Sequence, residues 1–451
     1  MEKELEGILE ELLELLENKK MKAVKAKLAS MNEVDIACLL DHLPKNHIAT
    51  VFRLLAKEEA ADVFAYLERD QQQHIIDSIT DSEISGIIEE LFLDDVVDIL
   101  EEMPSNVVKR IMQNTKPEKR ERINQFLKYP KNSAGSIMTS EFIDLKKYMD
   151  VRQAFDRIRR LGRNMETIYT CFVTSDNRKL EGVVSVKHLL LSNYEDKLAD
   201  IMDTNIISTS THEDQEQVAD LFTKYDLLNI PVVDSENRLV GIVTVDDAID
   251  VIEAEATEDI KKMAAVTPIG KPYMKSDVFE IFKSRVPWLL LLMFSATFTH
   301  MIIEAYEDAL TAHVILAAFI PMLMDTGGNA GSQTAATVIR AVSLGEVQFV
   351  DFFRVVWKEI RVSVLCGVVL AAANFVRIAF FFSVDTTIAA TISLTLIATV
   401  FFSKVIGCSL PLLAYKVKVD PAVLASPIIT TFADTISLII YFQIATALLG
   451  L

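Results

Sequence analysis

The sequence predicts a multidomain membrane protein: an α-helical solenoid N domain, a duplicated α/β unit, a connecting helix and an all-α transmembrane domain of five helices. Three observations carry that prediction. Five apolar stretches after residue 280 each exceed the roughly 20 residues that a span needs. Residues 1–130 repeat a helix–turn–helix texture, and residues 173–190 recur as residues 232–249.

Charge divides the chain in the same way. From residue 281 onward ten Lys and Arg are matched by ten Asp and Glu, so the whole formal charge of -19 lies before it. An acidic soluble half argues against nucleic acid and for cations as ligands, with solubility as the plainer alternative. Cys38, Cys171, Cys366 and Cys408 are scattered, with neither a CxxC pair nor a zinc spacing, which fits a reduced cytoplasmic compartment. The opening "MEKELEGILEELLELLENKK" is acidic and helical and lacks the apolar core of a signal peptide.

In residues 1–130 apolar residues fall at i, i+3, i+4 spacing. "LLDHLPKNHIATVFRLL", "VFAYLERDQQQHIIDSI" and "ILEEMPSNVVKRIMQNT" read as one unit repeated: helix end, polar turn, next helix. Such units bury their apolar faces only against their neighbours, which predicts a small helical solenoid.

The Pro-, Gly- and Ser-rich "KYPKNSAGSIMTS" marks a boundary. Beyond it "VTSDNRKLEGVVSVKHLL" (173–190) matches "VVDSENRLVGIVTVDDAI" (232–249), each a strand, a polar turn, a strand through a glycine and a helix start. "SIMTSEFIDL" and "DIMDTNIIST" open the two copies. Residues 137–256 thus resemble a tandem pair of CBS domains, a type that binds adenine nucleotides or acts as a ligand-driven clamp. The ribose-binding pattern of that family, Ser or Thr followed three residues later by Asp, is matched by Thr244 and Asp247. The first copy has Ser185 but His188 in place of the acid, so the resemblance implies at most one nucleotide site, with a purely structural pair as the other reading.

A connecting segment follows at 247–275. Its helical run "DAIDVIEAEATEDIKKMAAV" carries Asp250, Glu253, Glu255, Glu258 and Asp259. Like charges three and four residues apart disfavour a helix by a few tenths of a kcal/mol per pair. Solvation of an exposed face is one answer to that repulsion, and a hard divalent cation on carboxylate oxygens is the other.

The transmembrane domain, 280–451, divides into helices at about 284–305, 312–341, 354–382, 387–415 and 422–450. With the soluble half inside, the cytoplasmic flanks hold Lys275, Lys283, Arg285, Arg340, Arg354, Lys358, Arg361, Lys416 and Lys418. The external loops "EAYEDALT" and "SVDTT" hold no Lys or Arg, and five spans then place the C-terminus outside. Within the spans, Asp434 is the only charge of the last helix and sits near its middle. A charge there costs about 2.5–3.5 kcal/mol on insertion scales and marks a functional position by default. "PMLMDTGGNAGSQ" (321–333) gathers Pro321, Asp325, Gly327, Gly328, Asn329 and Gln333 in one span. Broken or polar backbone at membrane depth belongs beside a cavity, so this segment predicts an interrupted helix along a wet path. Arg377 and Lys404 lie near span ends, where snorkelling or pairing accounts for them.

Gly328-Asn329 followed by Gly331-Ser332-Gln333, the Asp434 helix, the acidic helical domain, "SAGSIMT" and "EAEATEDI" occur in the order found in the MgtE family of Mg²⁺ channels, which the whole chain resembles. That resemblance implies a homodimer in the cytoplasmic membrane around one central Mg²⁺ path. Asp434, Asn329, Gly328 and Ala425 would line it, and the connecting helix would be a plug. It implies regulatory Mg²⁺ between the helical domain (Asp62, Asp94, Asp98) and the second CBS copy (Asp247, Asp250), and at the plug acids Glu255, Glu258 and Asp259. Adenine nucleotide at Thr244 and Asp247 is the further cofactor it suggests. Transport of another divalent ion such as Mn²⁺ or Co²⁺, and Mg²⁺ sensing without transport, are the alternatives. The chain has no HExxH pair around His300 or His313 and no GxxxxGK[ST], which argues against a metalloprotease and for passive flux rather than an enzyme or ATPase.

Overall fold

The computed structural model describes residues 2–382, 384–424 and 426–450. It divides into two compact units, Met1–Glu253 and Ala254–Leu451.

The first unit opens with the helices α1 (Glu2–Glu17), α2 (Met21–Leu28), α3 (Glu33–His42), α4 (Lys45–Phe52), α5 (Lys57–Ala65), α6 (Arg69–Ser78), α7 (Asp81–Glu90), α8 (Leu93–Glu102), α9 (Ser105–Asn114) and α10 (Pro117–Phe126). The breaks between them are chemical. Pro44 and Pro104 sit immediately before α4 and α9, and Pro117 opens α10, where its missing N–H costs nothing. Thr80 and Glu83 form a capping box at α7, the Thr80 N–H donating to Glu83 Oε2 at 2.7 Å. Alternate helices stack, α3 on α5, α5 on α7 and α7 on α9, which is the solenoid. Its spine is Leu39, Leu40, Val51, Phe64, Ile75, Ile84, Ile88, Val96 and Ile111, all buried. Arg110 stitches successive units by donating to the Ile79 carbonyl at 2.8 Å and pairing with Asp81 at 3.0 Å.

The duplication in the sequence becomes two three-stranded sheets of the same order. In the first, β1 (Phe142–Lys146) runs parallel to β2 (Thr167–Thr174), which pairs antiparallel with β3 (Leu180–Ser185). In the second, β4 (Thr209–Ser210), β5 (Asn229–Val233) and β6 (Leu239–Thr244) repeat the arrangement. The helices α11 (Val151–Leu161), α12 (Val186–Leu191), α13 (Leu198–Ile201) and α14 (Gln215–Tyr225) cover them. The repeated glycine has a specific task. A Cβ on Gly241 would come within 2.6 Å of the Met138 sulfur, and one on Gly182 within 2.5 Å of the Met202 sulfur. Each copy's opening "IM" pair therefore packs on the other copy's glycine, and bridges Thr139 to Ile242 and Val183 to Asp203 close the exchange. α15 (Val245–Met263) continues from β6 past the end of the first unit.

Among the described residues the second unit holds five helices long and apolar enough to cross a membrane. α16 (Val278–Ala305) and the short α17 (Glu307–Ala312) precede α18 (Ile320–Ser343), α19 (Phe352–Phe381), α20 (Thr386–Lys416) and α21 (Ser426–Leu449). α18 packs on α20 and α21, and α20 on α19.

The expected interruption at 321–333 is corrected by this structure: α18 runs unbroken through it. Pro321 lies in its first turn, where no helical N–H is lost. The glycines let helices touch. A Cβ on Gly327 would meet Ser437 Oγ at 2.7 Å, and one on Gly331 would meet Ile429 Cγ2 at 2.9 Å. A Cβ on Gly407 would strike the Gly331 carbonyl. Small residues at such crossings bring backbones together where lipid supplies no hydrophobic drive.

Gly407→Val should therefore lower the melting temperature of the detergent-solubilised protein, by the equivalent of about 1–3 kcal/mol of overpacking. Gly7→Ala, at an exposed position of α1 with nothing within 4 Å of its new methyl, should leave it unchanged or slightly raised.

Candidate ion path and cation-sensing sites

In a continuous α18, residues four apart share a face, and Asp325, Asn329 and Gln333 form an exposed polar stripe. Gly327, Gly328, Gly331 and Thr334 turn inward. The Cα of Gly328 faces Thr430, whose methyl lies 2.9 Å from where a Cβ would stand. Asp434 is half-buried on α21, and its Oδ1 is shielded from solvent without a hydrogen-bond partner in the protein. The charge that acts on it is another acid, Asp325. Ala425 lies outside the described residues.

Behind the stripe, Lys404 is 7% exposed. Its Nζ donates to Thr334 Oγ1 at 3.1 Å and lies 3.9 Å from Glu359 Oε2, while the Thr334 hydroxyl donates to Glu359 at 3.2 Å. Pairing, not snorkelling, accounts for this lysine. Arg377 donates to Asn374 Oδ1 at 2.9 Å.

In the first unit a crowd of carboxylates gathers at α8 and the start of α15. Asp94 is 8% exposed and its pKa stands well above the ordinary value, through burial and then the charge of Asp247. Burial and Asp62 raise Asp95 to about 6. Asp98 keeps an exposed surface, yet the surrounding protein and Asp247 raise it to about 7. Asp247 is raised to about 6 by burial, against a 2.5 Å hydrogen bond from Thr244 Oγ1. Glu166, at the entry to β2, is raised to about 8 by burial and then by Asp247, and its Oε2 is buried without a partner.

The structure thus brings together Asp94, Asp98 and Asp247 of the sequence-predicted set. Asp62 stands at the edge of that group: its charge acts on Asp95, while burial and then Glu33, Glu58, Glu90 and Glu59 raise its own pKa. Asp250 is exposed and faces Asp246 and Glu253. Sequence reasoning missed Asp95 and Glu166. Asp95 was within reach, since 94, 95 and 98 share a helix face, but "NMETIY" held no signal for Glu166.

These acids fit a hard divalent ion: the donors are carboxylate oxygens, one of them buried and orphaned. No three His, Cys, Asp or Glu among the described residues converge tightly enough to clasp a bare metal ion. Mg²⁺ keeps several waters and does not require such a cage. The same crowding opposes polyphosphate at Thr244 and Asp247. A cavity of about 250 Å³ in the α/β pair is lined by Ser140, Phe142, Asp144, Thr174, Arg178 and Leu239, and by neither motif residue.

On α15, Glu258 pairs with Lys262, and Lys262 Nζ reaches Asp420 Oδ2 at 2.7 Å. Asp259 accepts from Ser343 Oγ at 3.3 Å, and its pKa is raised by burial and then Asp420. Glu255 is half-buried on the same helix. Glu258 and Asp259 are therefore held within the chain.

Five membrane-length helices among the described residues with a solvent-shielded acid, joined to acid-rich helical and α/β repeats, point to a cation transporter with acidic N-terminal domains. Residues 320–444 match the divalent cation transporter family MgtE, 31–132 match the MgtE intracellular N domain, and 134–193 and 198–254 match CBS domains. The chain belongs to the MgtE family of magnesium transporters, which are not enzymes. It is 35% identical over 333 residues to the magnesium transporter MgtE of Thermus thermophilus, covering 74% of each chain. It is 36% identical over 329 residues to that of Bacillus subtilis, covering 72% of this chain and 71% of the relative. The crystal structure of the cytosolic domain of the Mg²⁺ channel MgtE in complex with ATP matches 53% of this chain and 98% of its own, at 34% identity and a TM-score of 0.51.

Carboxyls whose folded pKa exceeds the unfolded value hold more protons when folded. Their stabilising contribution is complete below about pH 4 and is lost as pH rises through about 6 to 8. Full-length protein in chelator should melt at progressively lower temperature between pH 5 and pH 8. Saturating Mg²⁺ should flatten that slope, and Glu166→Gln should raise the pH 8 melting temperature in chelator.

Proposed function

We propose that this chain is a homodimeric, Mg²⁺-selective channel of the cytoplasmic membrane, which conducts passively and is shut by intracellular Mg²⁺. The N-terminal domains lie in the cytoplasm and the C-terminus outside. The observation that carries the reading is the unpartnered Asp434 oxygen on an otherwise uncharged membrane helix. A shielded carboxylate without a donor is expensive unless an ion or water serves it.

One Asp434 from each protomer would face across the dimer axis. Two carboxylates about 6 Å apart repel by roughly 3 kcal/mol at an effective dielectric near 20. A hydrated divalent ion relieves that repulsion and a monovalent one relieves it only in part. Mg²⁺ sheds water reluctantly, so the path holds it largely hydrated, beside the Asn329 amide, with Gly328 and Ala425 as the further expected lining positions. The exposed stripe of Asp325, Asn329 and Gln333 supports an aqueous face on α18.

Closing uses the same electrostatics. Mg²⁺ at Asp94, Asp98 and Asp247 offsets the crowding that otherwise drives α8 and the start of α15 apart, with Asp62 and Asp250 as flanking sites. Mg²⁺ at Glu255, Glu258 and Asp259 holds the plug. Each site shifts a closed–open population only by its differential affinity, so several together give a sharp response. An adenine nucleotide, as held by the crystallised relative, would meet acids at Thr244 and Asp247 and would have to bring Mg²⁺ with it.

The test is Mg²⁺ uptake into proteoliposomes with the cytosolic face low in Mg²⁺. Wild type should conduct without ATP or a counter-ion gradient, and folded Asp434→Ala should lose at least tenfold, the cost of about 1.4 kcal/mol or more. Equal flux in both would remove Asp434 from the path.

A further inference from the structure

The end of α15 carries a cation of its own. Lys262 Nζ sits between Glu258 and Asp420, and Asp259 adds a third carboxylate to the group. Burial works against the lysine's charge, and hydrogen bonds to Asp420 and Glu258 overcome it, so its pKa stands above the ordinary value.

Asp420 serves two elements at once. Its Oδ1 accepts from the Ala422 N–H at 2.8 Å, capping the 3₁₀ turn Pro421–Leu424, and its Oδ2 receives Lys262 at 2.7 Å. That turn leads directly into α21, which carries Asp434. The next residue of α15, Met263, packs among Ala335 and Ile339 of α18, Ala422, and Ile429 of α21. Ser343, the last residue of α18, donates to Asp259. One end of α15 thus grips both helices assigned to the path, with a single ammonium at the centre of the grip. Side-chain exposures of 25% for Lys262 and 35% for Asp420 place the pair partly out of water, where it is less screened than an exposed pair.

We propose that Lys262 is a built-in latch: its ammonium ties the end of α15 to the lead-in of α21 through Asp420, supplying a closing contact that requires no metal. Without it three carboxylates face one another and only external cations offset them. The latch lowers the cytosolic Mg²⁺ needed to shut the path. This rests on the gating reading proposed above, though the contact itself does not.

The test uses the full chain as wild type, Lys262→Met, Asp420→Asn and the swap Lys262→Glu/Asp420→Lys. Asn at 420 can still cap Ala422 while losing its charge, so it guards against a folding defect in the lysine variant. Mg²⁺ flux in proteoliposomes is titrated against Mg²⁺ on the face of the N-terminal domains. Trypsin cleavage after Lys275, which precedes Ser276, is followed in chelator. Both single variants should raise the half-closing concentration about two- to tenfold and be cut faster, and the swap should restore both toward wild type. Single variants that match wild type, or a swap that restores neither readout, would overturn the latch. If wild-type flux is not reduced by Mg²⁺ at all, the gating reading falls. The latch is then judged by cleavage alone: faster cutting reversed by the swap supports it, and equal cutting overturns it.

Discussion

Carboxylates that the fold gathers without enough cations of its own are the constraint on which both units turn. At α8 and the start of α15, Asp94, Asp95, Asp98, Asp247 and Glu166 are all raised, by burial first and by repulsion from neighbouring acids after it, with the Thr244 hydrogen bond opposing the rise at Asp247. Bringing charges out of water is paid for only by a partner of opposite sign. The first unit supplies too few of its own: Lys119 lies near Asp95, and its own pKa is lowered by burial. In the membrane unit the same imbalance recurs at Asp434, whose neighbouring charge is Asp325. One ion type can relieve both places, and the proposed closing of the path by the transported ion rests on that shared need.

Where the chain does provide cations, it uses them to fix helices. Lys404 ties α20 to Thr334 of α18 and Glu359 of α19. That bond sits one residue beyond the exposed Gln333, so the inward face of α18 is pinned while its outward face keeps Asp325, Asn329 and Gln333. Gly327, Gly331 and Gly407 let the backbones close on that same inward face. Polarity outside and small residues inside are two halves of one helix.

Much of this was legible in the sequence because its signals are local or periodic. The solenoid follows from recurring apolar spacing, and the five spans follow from length. The α/β duplication follows from repeated segments whose shared glycine proves to seat the other copy's methionine. The glycine run in α18 misled because Gly327-Gly328 has two physical uses, breaking a helix or letting a neighbour approach, and only tertiary packing selects between them. Burial decides the same kind of question for Lys404, whose position near a span end says nothing about whether it reaches lipid headgroups or Glu359. Glu166 was invisible because it joins the acidic crowd across 72 residues from Asp94, and no spacing rule spans such a gap. Asp62 and Asp94 look equivalent in sequence, yet the acid that acts most on Asp62 is Glu33 and the one that acts most on Asp94 is Asp247, a difference that residue type does not announce.

The most direct measurement is hydrogen–deuterium exchange of the full-length protein, following peptides that cover 93–102 and 245–250, in chelator and in saturating Mg²⁺ at one pH. If repulsion among these carboxylates is what the cation relieves, Mg²⁺ should slow exchange in both segments together, and Asp247→Asn should slow it in chelator without metal. Exchange indifferent to Mg²⁺ in both segments would contradict the account.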